Sequence, residues 1–283
     1  MKKKQAALIA IICGVAIFGI KLLAYFLSNS VALLSDALES IVNITASGLM
    51  LFSIYMSEKP ADDGHNYGHQ KVEEISSMLE GLLIVAAAFL IVYTAAGRLF
   101  KSTKLLELNL AIGVSMVATA LNGGLSWFLR STARKSGSAA LEGDSKHLLS
   151  DVISSVGVWV GLFIVQLTGW EFMDSILAFV VSILIVRMGI GLVLKSSSHL
   201  MDESYKDGED KIREVLLRHK SQFLDFHYLK TRLHGGVFLA EMHLTVDSSL
   251  SVKDAHDLTD HLQEELKKEL PKINLAIHIE PKK

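Results

Sequence analysis

Between Ala6 and Leu194 the chain reads as six apolar runs separated by short polar segments: Ala6–Leu27, Val31–Met56, Gly81–Gly97, Leu105–Leu129, His147–Leu167 and Ser175–Leu194. A bilayer core about 30 Å thick takes roughly 20 apolar helical residues to cross, so each run is a candidate membrane span. The first run follows Met1-Lys2-Lys3-Lys4 as a secretory signal would, but it is long, contains Lys21 and lacks a convincing cleavage site. It is therefore read as a retained span. From Asp202 to Lys283 the residues are those of ordinary soluble sequence. That change divides the chain into a transmembrane domain, residues 1–200, and a second domain, residues 201–283.

An even number of spans puts both termini on one side. Lys2, Lys3, Lys4, Lys59, Lys71, Arg130, Arg134, Lys135 and Lys195 fall on that side, and Arg98, Lys101 and Lys104 on the other. Basic residues favour the cytoplasmic side, so a multi-pass protein of the cell membrane with both termini in the cytoplasm is expected. Cys13 is the single cysteine and lies in the first run, which excludes a disulfide framework and a cysteine zinc site. The net charge is −2 at pH 7, and the scattered lysines form no nucleic-acid footprint.

The second domain has its own periodicities. Lys206–Lys220 and Val252–Leu270 repeat as helices, Phe226–Leu233 and Val237–Val246 alternate as strands around a Gly235-Gly236 turn, and Asn274–Ile279 is a last strand. The order is αββαβ, a small domain with helices packed on one sheet face.

Charged side chains inside a span cost at least about 2.5 kcal/mol each, so those retained are usually functional or paired. Two spans carry such residues at the same spacing: Glu39 and Asn43 in the second, His147 and Asp151 in the fifth. A separation of four puts each pair on one helix face. If the two faces meet, two carboxylates, an imidazole and an amide oxygen supply the coordination number of tetrahedral zinc. Matching the pairs in depth requires the fifth helix to begin before its apolar run, near Ala139. Two carboxylates with two neutral ligands cancel a divalent charge where net charge is expensive. The empty site would take protons instead, so metal and protons compete. The alternative is that the four residues only hydrogen-bond between helices. Asp36, one turn before Glu39, is set aside as a capping or vestibule residue.

The run Ser30-Val31-Ala32-Leu33-Leu34-Ser35-Asp36-Ala37-Leu38-Glu39-Ser40, the segment from Pro60-Ala61-Asp62-Asp63-Gly64-His65 to His69-Gln70-Lys71-Val72-Glu73, and the His147-x-x-x-Asp151 pair together resemble the cation diffusion facilitator family of metal transporters. The resemblance implies an α-helical membrane protein of six transmembrane helices followed by a cytoplasmic, metallochaperone-like αββαβ domain. It implies a transport site at Glu39, Asn43, His147 and Asp151, and a loop site at Asp62, His65 and His69 whose alternative is a solvated polar loop. In the second domain it implies a binuclear site from His227, His243, His256, His278 and Glu280, with Glu280 where aspartate is more usual. Lys71 and Asp202 match positions that hold two protomers together in some relatives. His199, His219, His234 and His261 match nothing in the family pattern and are read as surface residues.

The resemblance thus implies a homodimer in a lipid bilayer, no enzyme and without an organic cofactor, that exchanges a cytoplasmic divalent metal for protons and is regulated by the same metal. Many zinc-transporting members carry His or Asp at the first two transport positions, so Glu39 and Asn43 are departures. These harder oxygen ligands suit manganese or iron, yet zinc has the higher raw affinity for a given site. Zinc is expected, with iron, manganese or cobalt as alternatives. An intramembrane metal hydrolase fits poorly, because neither HExxH nor a nucleophile with a histidine partner is present. A channel would favour rings of like residues over four unlike ligands from two helices.

Overall fold

The computed structural model describes residues 2–28, 31–98, 108–168, 172–234 and 236–282. These divide into two compact units, Met1–Ser197 and Ser198–Lys283.

Long helices build the first unit: α1 (Lys3–Ser28), α2 (Val31–Ser57), α3 (Val72–Arg98), α4 (Leu108–Ser136), α5 (Ala139–Thr168) and α6 (Phe172–Leu200). With 26 to 30 residues apiece they extend about 40–45 Å at 1.5 Å per residue, longer than a bilayer core. The extra length is polar helix. α3 begins at Val72 rather than Gly81, and α4 continues through Arg130 to Ser136. Hydropathy marks the part of a helix that meets lipid, not the point where its hydrogen bonding stops. α5 begins at Ala139, the start that the depth match required. Lys101, Lys104 and Gly235 lie outside the described residues.

Exposure is inverted relative to a soluble protein. Ile12, Leu23, Phe89, Trp127 and Ile183 face outward, while Ser40, Asn43, Ser47, Glu80, Asp144 and His147 are buried. Among the described residues, Lys3–Leu23, Val72–Tyr93 and Phe179–Leu200 are long and apolar enough to cross a membrane. This unit is the transmembrane part of a multi-pass protein.

Ala6, Ala10, Met50, Leu129, Leu141 and Leu148 pack α1, α2, α4 and α5 together, and Ile84, Ala88, Ile185 and Leu192 join α3 to α6. Two glycines set that second contact. A Cβ on Gly81 would lie 2.9 Å from the Gly189 carbonyl oxygen, and one on Gly189 would lie 2.9 Å from the Gly81 carbonyl oxygen. Small residues permit such close backbone approach in lipid. Near the start of α3, Glu73 accepts from Lys3 Nζ (2.8 Å), from Ser57 Oγ (2.7 Å) and from Ser138 Oγ, which ties three other segments to this helix.

In the second unit α7 (Lys206–Arg218) leads through a short 3-10 turn (Lys220–Gln222) to β1 (Asp225–His234), β2 (Val237–Val246), α8 (Val252–Glu269) and β3 (Ile273–Pro281). The order is the expected αββαβ. β2 is central, antiparallel to β1 and parallel to β3. Gly236 sits in the β1–β2 turn at φ 79°, a left-handed conformation that glycine adopts without a Cβ penalty. The Ser251 side chain accepts from the Asp254 amide and caps α8. Along β2 the side chains of Phe238, Ala240, Met242, Leu244 and Val246 alternate into the core with Ile212, Leu216, Leu262 and Leu266 of the helices. The other face, carrying Glu241, His243 and Thr245, is left partly exposed.

Candidate metal sites

α2 and α5 meet through their polar residues. Asn43 Nδ2 donates to Asp151 Oδ2 at 2.7 Å, and Asn43 Oδ1 lies 3.0 Å from His147 Nε2. Asn43 is 8% and His147 3% exposed, so the contact is sealed from solvent. Three of the four expected ligands are thereby within one hydrogen-bonded group. Glu39 lies on α2 one turn before Asn43, and its side chain falls outside the described residues.

Two acidic residues that hydropathy left out are buried beside this group. Asp144, one turn before His147, accepts from Ser47 Oγ with both carboxylate oxygens, at 3.2 and 3.1 Å. Glu80 on α3 is 0% exposed, its Oε2 lies 3.9 Å from His147 Nδ1, and neither of its oxygens has a hydrogen-bond partner among the described residues. Both precede the apolar runs of their helices, so a window average counts them as loop. The available signal was spacing: Glu73 and Glu80 are seven apart, two turns along one helical face. Interhelical hydrogen bonding alone accounts for Asn43 and Asp151. It does not account for a buried carboxyl group without a hydrogen-bond partner among the described residues, which costs about 1–3 kcal/mol when neutral and more when charged.

The loop site assembles within one turn. Asp62 Oδ1 accepts from the Gly64 and His65 amides at 3.0 and 2.7 Å and lies 3.1 Å from His65 Nδ1, while Oδ2 lies 3.3 Å from His69 Nε2. The two imidazole rings are 4.4 Å apart. All three ligand atoms fall within 4.8 Å of one another, the spacing of a metal site. Partial burial of Asp62 opposes its ionisation, but the His65 hydrogen bonds and the His69 and His65 charges together outweigh it and hold the carboxyl below its ordinary value.

Strand register builds the third group. His227 on β1 pairs with His243 on β2, which pairs with His278 on β3, so three imidazoles lie in a row on the face away from the helices. A bulge follows His227, with Tyr228 at φ 51°. Glu280 joins the row: His243 Nδ1 is 2.8 Å, His227 Nε2 3.3 Å and His278 Nε2 3.8 Å from its oxygens. The His243 hydrogen bond, reinforced by the charges of the three histidines, lowers the Glu280 pKa against a smaller effect of burial. His227, His243 and Glu280 meet the spacing of a metal site. His256 does not join them; it is exposed on α8 with Nε2 3.4 Å from Asp260 Oδ2. Asp202 Oδ2 accepts from Arg232 Nη1 at 3.2 Å in its own unit, and Lys71 stands in the turn before α3 of the other. His219 and His261, read from the sequence as surface residues, bring their ring centroids to 5.2 Å.

Residues 7–201 match the cation efflux transmembrane domain family, and residues 205–282 match the cytoplasmic domain of cation efflux proteins. The chain is 36% identical over 276 residues to an uncharacterized transporter of Synechocystis sp., covering 97% of this chain and 89% of the relative. It is 27% identical over 278 residues to the cation-efflux pump FieF of Shewanella oneidensis, covering 98% and 94%. Among solved structures it is similar to the metal-bound C-terminal domain of the CzcD transporter from Thermotoga maritima, at 37% identity over 26% of this chain and 87% of that one, with a TM-score of 0.25.

Proposed function

The chain belongs to the cation efflux, or cation diffusion facilitator, family, and from that premise we propose that it is a homodimeric antiporter that exports a divalent transition-metal ion, zinc first, from the cytoplasm in exchange for protons. Residues 1–200 carry the ion across the cell membrane, and residues 201–283, on the cytoplasmic side with the N-terminus, bind the same metal as a regulator. The observation that supports this most is the buried contact of Asn43 with His147 and Asp151. Amide oxygen, imidazole and carboxylate converge from two helices, and Glu39 lies one turn away as the fourth ligand.

Metal and protons share these atoms. A cation can take the Nε2 lone pair of His147 only when the ring is neutral with its proton on Nδ1, so an imidazolium must first give up one proton, and it can take the Asp151 carboxylate only when that group is ionised. Loading from the cytoplasm therefore releases protons, and discharge on the far side takes them up. Zinc is favoured by the affinity order of the divalent metals. Manganese or iron is the second choice, because Glu39 and the Asn43 carbonyl make the site richer in hard oxygen.

Sealed inverted vesicles with an internal pH dye test the proposal. Zinc uptake accompanied by stoichiometric proton exit is the expected result, and it slows as the medium, equivalent to cytoplasm, is acidified across the histidine range, about pH 5 to 8. Metal flux with no proton movement would make the protein a channel.

A further inference from the structure

Glu80 is unlike every other buried acid described in the transmembrane unit. Glu73 accepts from three donors and Asp144 from Ser47, whereas both oxygens of Glu80 are buried without a hydrogen-bond partner among the described residues. Close packing keeps it there. A Cβ on Gly143 of α5 would lie 3.1 Å from Glu80 Cγ and 3.1 Å from Ser77 Cα, so glycine lets α3 carry Glu80 against α5. On the other side of the same turn, Gly81 touches Gly189 of α6. The carboxylate is thus held facing the ring of His147, with Oε2 3.9 Å from Nδ1.

The tautomer of His147 follows from its neighbours. Nε2 faces the Asn43 carbonyl oxygen, whose orientation is fixed because Nδ2 of the same amide donates to Asp151. Without metal, Nε2 carries the proton. When a cation takes the Nε2 lone pair, the neutral ring must carry its proton on Nδ1, inside a site closed to water. Metal-bound histidines donate that second N–H to a carboxylate or carbonyl, which fixes the ring and raises its basicity. Among the described residues Glu80 brings a carboxyl oxygen to 3.9 Å from Nδ1, and closing the gap to hydrogen-bond length takes a movement of about 1 Å.

We propose that Glu80 is the positioning residue of the transport site, accepting the His147 Nδ1–H and so holding Nε2 on the transported cation. The inference rests on the reading of Glu39, Asn43, His147 and Asp151 as that site. It adds a third helix, α3, to a site otherwise built from α2 and α5.

Cobalt(II) serves as a spectroscopic probe, in full-length protein carrying His65→Ala and His243→Ala so that the two other sites do not contribute. Glu80→Leu removes the acceptor; Glu80→Gln keeps an acceptor oxygen of the same reach. Glu80→Leu is expected to weaken cobalt binding and raise the transport KM by about 10- to 100-fold, with a smaller change in kcat, and Glu80→Gln to recover most of that loss. Glu80→Ala gives the same comparison if Glu80→Leu does not fold. Equal loss in Gln and Leu variants with an altered d–d spectrum would make Glu80 a direct ligand and overturn the proposal, as would wild-type affinity in both. Asp151→Ala in the same background separates the two levels: if it leaves the cobalt spectrum intact, the transport-site reading has failed whatever Glu80 does.

Discussion

Asn43 on α2 donates a side-chain hydrogen bond to Asp151 on α5, Nδ2 to Oδ2 at 2.7 Å, and this turns its carbonyl oxygen toward His147. If a metal ion binds between the helices as proposed, it would replace that hydrogen bond, with the amide standing in for the cation while the site is empty.

Asn43→Asp replaces the donor with a second acceptor at the same distance from Asp151. Two carboxylates so close cannot both be ionised unless a cation lies between them. The variant is expected to change metal preference and proton dependence more than maximal rate, measured by vesicle flux for zinc, iron, manganese and cobalt over a pH series. An unchanged selectivity and pH profile would remove Asn43 from the ligand set.

Asp151→Ala leaves the cation with a single expected carboxylate, Glu39. Removing one partner of a buried charge pair costs about 3–5 kcal/mol, which lowers metal affinity by about 100- to 1,000-fold or more. Transport should be lost at micromolar metal while folded protein remains in the membrane. Near-normal flux by the purified variant would contradict the site assignment.

The α3–α6 contact predicts opposite outcomes for two nearby glycines. A Cβ on Gly189 would lie 2.8 Å from Val85 Cγ2 and 2.9 Å from the Gly81 carbonyl oxygen, whereas one on Gly191 meets nothing within 4 Å. Gly189→Ala is expected to destabilise by about 1–3 kcal/mol, as overpacking does. Gly191→Ala should be neutral or slightly stabilising. Thermal unfolding of the detergent-solubilised variants distinguishes them.

Metal should stabilise the second unit, Ser198–Lys283, by an amount that grows logarithmically above the dissociation constant, about 2.7 kcal/mol at a hundredfold excess. His243→Ala combined with His278→Ala should erase the shift. A unit that shows neither a thermal shift nor tighter self-association with any of the four metals is a dimerisation module whose histidine row is incidental.

In the metal-free second unit, Glu280 has a pKa below its ordinary 4.5, chiefly through the His243 hydrogen bond. A carboxyl depressed in the folded state contributes stability above its unfolded pKa and loses it as pH falls through the folded value. Wild type should therefore lose stability below about pH 4.5 more steeply than Glu280→Gln, read as urea midpoints at successive pH values. Parallel curves would show that Glu280 is not engaged by the histidines.

Sequence alone determined what is additive along the chain. Apolar runs such as Gly81–Gly97 announced membrane helices because each residue's transfer to lipid contributes independently, and the period-2 pattern of Val237–Val246 announced a strand for the same reason. Local spacing also sufficed for Asp62, His65 and His69, which close on one another within a single turn. A separation of four also put Glu39 with Asn43 and His147 with Asp151 on one helix face each, but that the two faces meet came from the tertiary structure. Only the tertiary structure decided that Glu80, at the polar start of α3, lies beside His147, 67 positions later, and that His227, His243 and His278 fall in one register across β1, β2 and β3. It likewise set His256 apart beside Asp260. Such contacts join residues on separate elements and depend on which glycine lets two helices approach and where a bulge shifts a strand, and neither leaves a trace in a local average of the sequence.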